Sequence, residues 1–141
     1  VNSVIALNSS SKVYVTRLKP GDDLRLCLQQ LARDYHFKAA VVVTCVGSLI
    51  QHNLRFANRN AGQIKKGHFE IVSLTGTLSE SSVHLHMCVS DNDGNCTGGH
   101  LLDNNIIYTT AEIAIASLPD LQFSRAFDEA SGYNELVIRN D

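Results

Sequence analysis

The sequence predicts an α+β domain, a mostly antiparallel sheet of about eight strands with one main α-helix packed on it. Apolar residues recur at helical spacing in only one segment, residues 22–35. Elsewhere, short β-branched or alternating segments are separated by turn residues, which is typical of antiparallel strands. A length of 141 residues suits a single domain, so we expect one domain over 1–141 with its core at about 13–138.

Turn and capping residues delimit the predicted elements. Pro20-Gly21 ends the first strand, and Asp22-Asp23 places negative charge at the N-terminus of the helix. The Asn-, Gly- and Lys-rich segment 58–67 predicts a loop, and residues 91–94 predict a hairpin turn. The predicted strands are 13–18, 39–47, 48–57, 68–77, 83–90, 96–102, 106–117, 122–127 and 135–138.

Charge is spread unevenly along the chain, although the net charge is only −2. The first half is strongly basic and the second half acidic, and no acidic residue lies between Asp34 and Glu70. Two interpretations remain open. Strands of the two halves interleave and their fields cancel, or the basic residues Lys38, Arg55, Arg59, Lys65 and Lys66 form a surface for an anionic partner.

Cysteine usage and hydropathy favour an intracellular protein. The four cysteines lack metal-type spacing and a disulfide framework, and Cys27 and Cys45 are predicted to be small buried hydrophobic residues. No secretory signal is visible, and no apolar run reaches the roughly 20 residues that a membrane span needs. We therefore expect a cytoplasmic protein with no membrane partner, or a nuclear one in a eukaryote.

Three histidines are concentrated within 17 residues, as His84-Leu85-His86 and then Gly98-Gly99-His100. Alternate residues of a strand face opposite sides, so His84, His86 and Cys88 share one face. The residues between them are apolar and must face the core. The histidines are therefore predicted to line the opposite, more polar face.

The length of the intervening turn decides where His100 points. A two-residue loop at Asp93-Gly94 would place His100 on the wrong face, whereas a three-residue loop over 92–94 pairs it directly with His86. Three-residue loops commonly end on a glycine in the left-handed conformation, and Gly94 occupies that position. Directly opposed side chains have Cβ atoms about 4.5–5.5 Å apart, a separation at which two imidazoles can share a metal.

This pattern predicts a metal site formed by His84, His86 and His100, with zinc as the default metal among those that imidazole suits. Three ligands leave a position for water or an incoming ligand, as in catalytic zinc sites. Gly98 and Gly99 leave space beside it. An alternative is that Cys88 supplies a fourth ligand and closes the site.

Several segments resemble the plant and prokaryote conserved (PPC) domain. Gly67-His68-Phe69-Glu70-Ile71-Val72-Ser73-Leu74-Thr75-Gly76 is similar to its G-R-F-E-I-x-S-L-x-G signature. The histidine segment resembles the prokaryotic type, and the segments 108–113 and 131–136 also fit. The similarity runs from about Val13 to Ile138.

The resemblance implies a homotrimeric α+β domain in which His84, His86 and His100 bind a metal, usually taken to be zinc. Plant members follow AT-hook motifs that enter the minor groove of DNA, and family members are therefore often named as DNA-binding. This chain has no Arg-Gly-Arg-Pro stretch and carries His68 where the signature usually has Arg. Both departures weaken the expectation of DNA binding.

Three functions remain open at this point. The first is a trimeric metal-binding domain of unassigned molecular role, with a small-molecule or protein ligand at the metal. The second is a metal-dependent hydrolase, for which Glu70 or Glu112 would be the candidate acid/base, although both are also typical exposed strand residues. The third is a transcription-associated module that contacts DNA or proteins through the basic stretch.

Overall fold

A computed structural model describes residues 3–141 and contains eight strands and one helix. The elements in chain order are β1 (Lys12–Leu18), α1 (Leu24–Asp34), β2 (Ala40–Arg55), β3 (Gln63–Leu78), β4 (Val83–Ser90), β5 (Cys96–Leu101), β6 (Ile106–Ser117), β7 (Leu121–Asp128) and β8 (Tyr133–Asn140). All strand pairs are antiparallel. The predicted class, a mostly antiparallel sheet with a single helix, is confirmed in these terms.

The eight strands form two sheets, which corrects the expectation of a single one. Six strands make the main sheet in the order β1-β6-β2-β3-β4-β5, and β7 pairs only with β8 in a separate two-stranded sheet. A small second core of Ala39, Leu121 and Phe123 lies beneath that ribbon. Two-stranded ribbons are marginal alone in water, so this packing is what holds β7 and β8 to the domain.

The helix is short and well capped. Asp23 accepts hydrogen bonds from the backbone N–H groups of Arg25 and Leu26 at 3.1 and 3.2 Å, which explains why the helix begins at Leu24. Its buried face carries Leu28 and Ala32, both fully buried in the main core. Asp23 therefore acts at the predicted place, whereas the Asp22 carboxylate accepts from the N–H of Lys19, and the helix is slightly shorter than residues 22–35.

Residues 40–55 form one continuous strand, so the prediction of separate strands over 39–47 and 48–57 is wrong. The register of β2 shifts against β3 and β6 near residues 42–51, which marks bulges that bend the strand without ending it. The predicted loop over 58–67 is also too long. Residues 63–66 already pair with the far end of β2, because backbone hydrogen bonds to a long partner compensate for a polar, flexible sequence.

The bend of β2 brings its C-terminal end to β5, at the far edge of the main sheet. Besides β3 and β6, β2 pairs with β5 through Leu54 opposite Leu101 and Arg55 opposite His100. The strands β2, β3, β4 and β5 thus close into a ring around buried side chains that include Leu54, Leu85 and Leu101. Sequence pattern did not indicate this closure.

The strand β6 of the acidic half lies between β1 and β2 of the basic half, so strands of the two halves interleave in part, as one of the two interpretations of the charge pattern expects. Lys38 forms an ion pair with Asp141 at 2.7 Å and Arg25 with Asp103 at 2.8 Å, and both pairs join the two halves. Within residues 3–141, no helix has the length and apolarity that crossing a membrane would require.

Candidate metal and ligand site

The β4–β5 hairpin has the three-residue loop that its sequence predicts. The N–H of Asp91 donates to the carbonyl of Asn95 at 3.0 Å, and the N–H of Gly94 donates to the carbonyl of Asp91 at 2.9 Å. Gly94 has φ of +80°, the left-handed conformation that such a loop requires. This register places His86 directly opposite His100, as predicted.

The two faces of β4 separate core from site. Val83, Leu85, Met87 and Val89 point inward and are buried. On the other face His84 and Cys88 are half-buried and His86 is exposed. The histidines therefore lie on the polar face, as alternation predicts.

His84, His86 and His100 form one cluster. Each offers a ring nitrogen, and these three atoms all lie within 4.8 Å of one another. The ring centroids are 5.1, 5.3 and 5.6 Å apart. This separation is compatible with three imidazole ligands around one ion, with bonds near ~2.1 Å.

Two of these histidines are held in the neutral form that metal binding needs. Burial, with help from Arg55, lowers the pKa of His100 to about 4. Burial and the nearby Arg125 also lower the pKa of His84. Nδ1 of His100 is buried and has no hydrogen-bond partner among the described residues. A buried ring nitrogen in this state is compatible with a ligand or ion that is not part of the chain.

Cys88 stands apart from the histidine cluster. It lies opposite Gly98, and its Sγ is 3.9 Å from the carbonyl oxygen of Val89. The cluster of mutually close ligand atoms consists of ring nitrogens of the three histidines and does not include the sulfur of Cys88. The alternative of a closed site with Cys88 as fourth ligand thus finds no support in the arrangement of the described residues.

An open cavity of about 550 Å³ adjoins His84 and His100. Three charged side chains from distant strands line it, namely Arg55 of β2, Arg125 of β7 and Glu135 of β8. Sequence reasoning missed Arg125 and Glu135 and assigned Arg55 to a basic surface. No signal in the sequence indicates this placement, because the neighbours of Arg55 and Arg125 are set by the packing of distant strands.

The carboxylates expected from sequence as acid/base candidates lie elsewhere. Glu70 lines a separate cavity of about 210 Å³ together with His68 and Tyr108. Glu112 is exposed on β6, opposite Arg17. Both are exposed strand residues, as the alternative interpretation predicted, and neither lines the cavity beside His84 and His100. The carboxylate that does line that cavity is Glu135.

The fold and the site together define a class, a single-helix antiparallel β domain with a three-histidine cluster on the outer face of one hairpin. The sequence profile of the Plants and Prokaryotes Conserved (PCC) domain, the family also abbreviated PPC, matches residues 6–119. The chain belongs to this family. The β7–β8 ribbon follows the matched segment.

Curated relatives contain this domain as part of a longer protein. The Bifunctional protein GlmU of Synechococcus sp. (strain JA-2-3B'a(2-13)) is 45% identical over 130 residues, which cover 92% of this chain and 21% of that protein. GlmU of strain JA-3-3Ab is 43% identical over 129 residues with the same coverage. The chain thus spans about a fifth of the length of these relatives.

Solved structures share the fold over nearly the whole chain. One named only as a hypothetical protein, from Salmonella enterica, has a TM-score of 0.94 and 38% identity and covers 95% of this chain and 97% of its own. A metal-containing protein from Archaeoglobus fulgidus has a TM-score of 0.79 and 23% identity, with 96% and 99% covered. A protein from Bacteroides thetaiotaomicron, provisionally named as DNA-binding, has a TM-score of 0.79 and 22% identity, with 93% and 98% covered. At 22% and 23% identity, the Bacteroides and Archaeoglobus structures show a shared fold only.

Proposed function

We propose that this domain binds a transition metal ion, zinc in the first place, through His84, His86 and His100, and presents it to a further ligand. The observation that carries the proposal is the approach of three imidazole nitrogens to within 4.8 Å on one solvent-facing surface. Three imidazole ligands suit zinc, and such sites keep a position for water or an incoming group. A zinc ion there would supply Lewis acidity and positive charge.

The surroundings of the cluster support this assignment. The lowered pKa values of His84 and His100 keep both rings neutral at pH 7, so protons do not compete with a metal there. The cavity of about 550 Å³ gives a ligand access to this side of the cluster. The Archaeoglobus protein of the same fold is named as metal-containing, and the proposal extends that property to this chain.

Zinc titration by isothermal calorimetry tests the proposal. Metal-free protein should bind one zinc ion per chain, and His100→Ala should abolish that binding. His68→Ala is the matched control, because His68 is an exposed histidine in tilted ring contact with Tyr108 and does not belong to the cluster. If wild type takes up no zinc, or if His68→Ala loses it equally, the assignment is wrong.

We further propose that the domain works as a homotrimer. The family resemblance motivates this, and exposed apolar side chains support it. Val13 and Val15 on the edge strand β1 are 57% and 78% exposed, and Val46 on the same outer face is 56% exposed. Contiguous exposed apolar residues are typical of interaction surfaces. Sedimentation velocity should give the mass of three chains, and Val15→Glu should shift the protein toward the monomer.

A metal-dependent hydrolase is the alternative that one observation favours. Glu135 lines the same cavity as His84 and His100, where a carboxylate can act as general acid or base toward a metal-bound water. Zinc-loaded protein should then hydrolyse some member of a panel of esters, lactones and phosphoesters. Activity should be lost on chelation and in Glu135→Gln. Absence of turnover throughout the panel would leave the binding function alone.

DNA binding remains the third candidate, because two structures of this fold are provisionally named as DNA-binding. The basic stretch is a weak basis for it here, since Lys38 is paired with Asp141 and Arg55 lies at the histidine cavity. Phosphate contacts weaken steeply with salt. Duplex DNA binding that falls between low and physiological salt and is lost in Lys65→Gln/Lys66→Gln would support it. Undetectable binding at low salt would exclude it.

A further inference from the structure

Two arginines beside the histidine cluster have no acidic partner. Arg55 and Arg125 are half-buried in the wall of the cavity of about 550 Å³. Among residues 3–141, the ion pairs within 4 Å involve other residues, and neither of these guanidinium groups takes part in one. Both guanidinium groups therefore keep charge at an accessible wall of the cavity, where an anionic ligand can pair with them.

Each arginine is held next to one histidine of the cluster. Arg55 lies directly opposite His100 in the β2–β5 pairing, and its Nη1 donates to the carbonyl of Arg59 at 3.2 Å. Nη2 of Arg125 donates to Oγ1 of Thr77 at 3.3 Å, and Thr77 lies opposite His84 in the β3–β4 pairing. The two guanidinium groups therefore approach the cluster from different strands, and each retains several free N–H donors.

We propose that this cavity binds a small molecule with a carboxylate or phosphate group, whose acid oxygens are held by Arg55 and Arg125 beside the metal. The inference rests on the proposed metal function, since the same ligand would reach the open position at the ion. Arginine presents planar, paired N–H donors that match the oxygens of both acids. A zinc ion at the cluster would add further positive charge to the same end of the cavity.

The remaining walls fit a small organic anion. Val83 and the ring of Tyr133 give the cavity apolar surface, and its volume falls in the range of small-molecule sites. Glu135 is the one acidic side chain on its walls, so the two arginines leave an excess positive charge. Glu135 is an acceptor for a hydroxyl or amine elsewhere on the ligand.

Calorimetry with three related probes tests the inference. Benzoate, phenyl phosphate and uncharged benzamide are each titrated into zinc-loaded and metal-free protein. One or both anions should bind, and benzamide should bind at least about tenfold more weakly, as expected when charge-assisted hydrogen bonds are lost. The tighter of the two anions identifies the acid group that the site prefers.

Variants assign the binding to the two arginines. Arg55→Gln and Arg125→Gln should each weaken binding of the preferred anion by about tenfold or more, whereas Glu135→Gln should strengthen it. Arg139→Gln is the matched control, because Arg139 is exposed on β8 and lies outside the cavity wall. Zinc affinity, measured in parallel, should be unchanged in Arg139→Gln, and the anion affinities of the other three variants are measured at saturating zinc.

The outcomes separate this inference from the proposed metal function. Binding of benzamide as tight as that of the tighter anion overturns the inference, as does wild-type anion affinity in both arginine variants. A protein that binds zinc normally and neither anion also overturns it, while the metal function stands. A protein that binds no zinc but still binds an anion through Arg55 and Arg125 leaves the anion site standing and refutes the metal function.

Discussion

The two faces of β4 differ in composition although their residues alternate along one strand. The inner face carries Val83, Leu85, Met87 and Val89, all buried in the main core. The outer face carries the half-buried His84 and the exposed His86. Side-chain alternation thus separates what stabilises the domain from what could bind an ion. The comparison implies that neighbouring residues of β4 can be changed with opposite consequences.

The largest effect is expected on the outer face. His86→Ala removes one of three ligands and should weaken zinc binding by about 1000-fold or more, which corresponds to about 4 kcal/mol. His86 is exposed, so the free energy of unfolding of the metal-free protein should change by only about 0.5 kcal/mol or less. Zinc calorimetry and denaturation in a chelator give the two values. Unfolding of the metal-free variant would show that this histidine is structural.

The adjacent residue should behave in the opposite way. Leu85 is 1% exposed, and Leu85→Ala should reduce the free energy of unfolding by about 2–5 kcal/mol through lost burial and a residual cavity. Zinc affinity of the folded variant should stay close to wild type. Urea denaturation and zinc titration below the unfolding transition measure both quantities. A large loss of zinc affinity in the folded variant would contradict the separation of the two faces.

Substitution of Gly76 should affect both faces of β4 at once. Its φ is +145°, and a Cβ there would lie 2.0 Å from the carbonyl oxygen of His84 and 2.9 Å from the Cα of Leu85. Gly76→Ala must displace the β4 backbone, so we expect a loss of roughly 1–3 kcal/mol in stability. Because the shift acts on His84, zinc affinity should fall as well. If stability and zinc affinity are both unchanged, β3 and β4 can move apart at this position without loss of free energy, and the prediction is wrong.

A smaller effect is expected from pH. Burial is the main cause that lowers the pKa of His52, His84 and His100, whereas unfolded histidines titrate near ~6.5. As pH falls from about 7 to 5, the unfolded chain takes up protons that the native state resists, so native stability is lost, on the order of 1 kcal/mol. This stability is fully present above the unfolded pKa.

Denaturation in a chelator at several pH values measures this loss. Zinc binds only the neutral rings of the cluster, so the zinc-loaded native state takes up fewer protons and should lose more stability than the metal-free protein over the same interval. His52 is 2% exposed and packs edge-on against Phe69 with 4.6 Å between ring centroids. His52→Leu should reduce the pH dependence without changing zinc affinity. Stability that rises on acidification would contradict the assignment.

The smallest effect is expected at Cys88, on the same face of β4 as His86. Cys88 lies outside the group of approaching ligand atoms, so Cys88→Ser should change the zinc dissociation constant by no more than about twofold, less than about 0.5 kcal/mol. The measurement is the same zinc titration. A loss comparable to that of His86→Ala would instead make Cys88 a fourth ligand.

Local sequence was sufficient to predict the histidine cluster. Gly94 specifies the three-residue loop, the loop sets the register, and the register aligns His86 with His100. All of these residues lie within one hairpin, where turn chemistry and alternation determine geometry. The capping of α1 by Asp23 was predictable for the same reason.

Long-range features were not predictable from the same patterns. Bulges keep β2 continuous through residues 40–55, and its return to β5 places Arg55 beside His100. Arg125 and Glu135 reach the cavity because the β7–β8 ribbon packs separately from the main sheet. Such contacts depend on tertiary packing between segments far apart in the chain. Residue spacing therefore predicted the histidine cluster and missed the charged groups of the cavity beside it.

The location of all three imidazoles on one hairpin has a consequence for the order of assembly. Residues 83–101 need to close only a short loop to bring His84, His86 and His100 together, and the entropic cost of closure is small for a short loop. Arg55 and Arg125 join them only after remote segments of the chain have docked. On the proposed assignments, the zinc site therefore needs only one hairpin to be in place, whereas the anion cavity needs the packed domain.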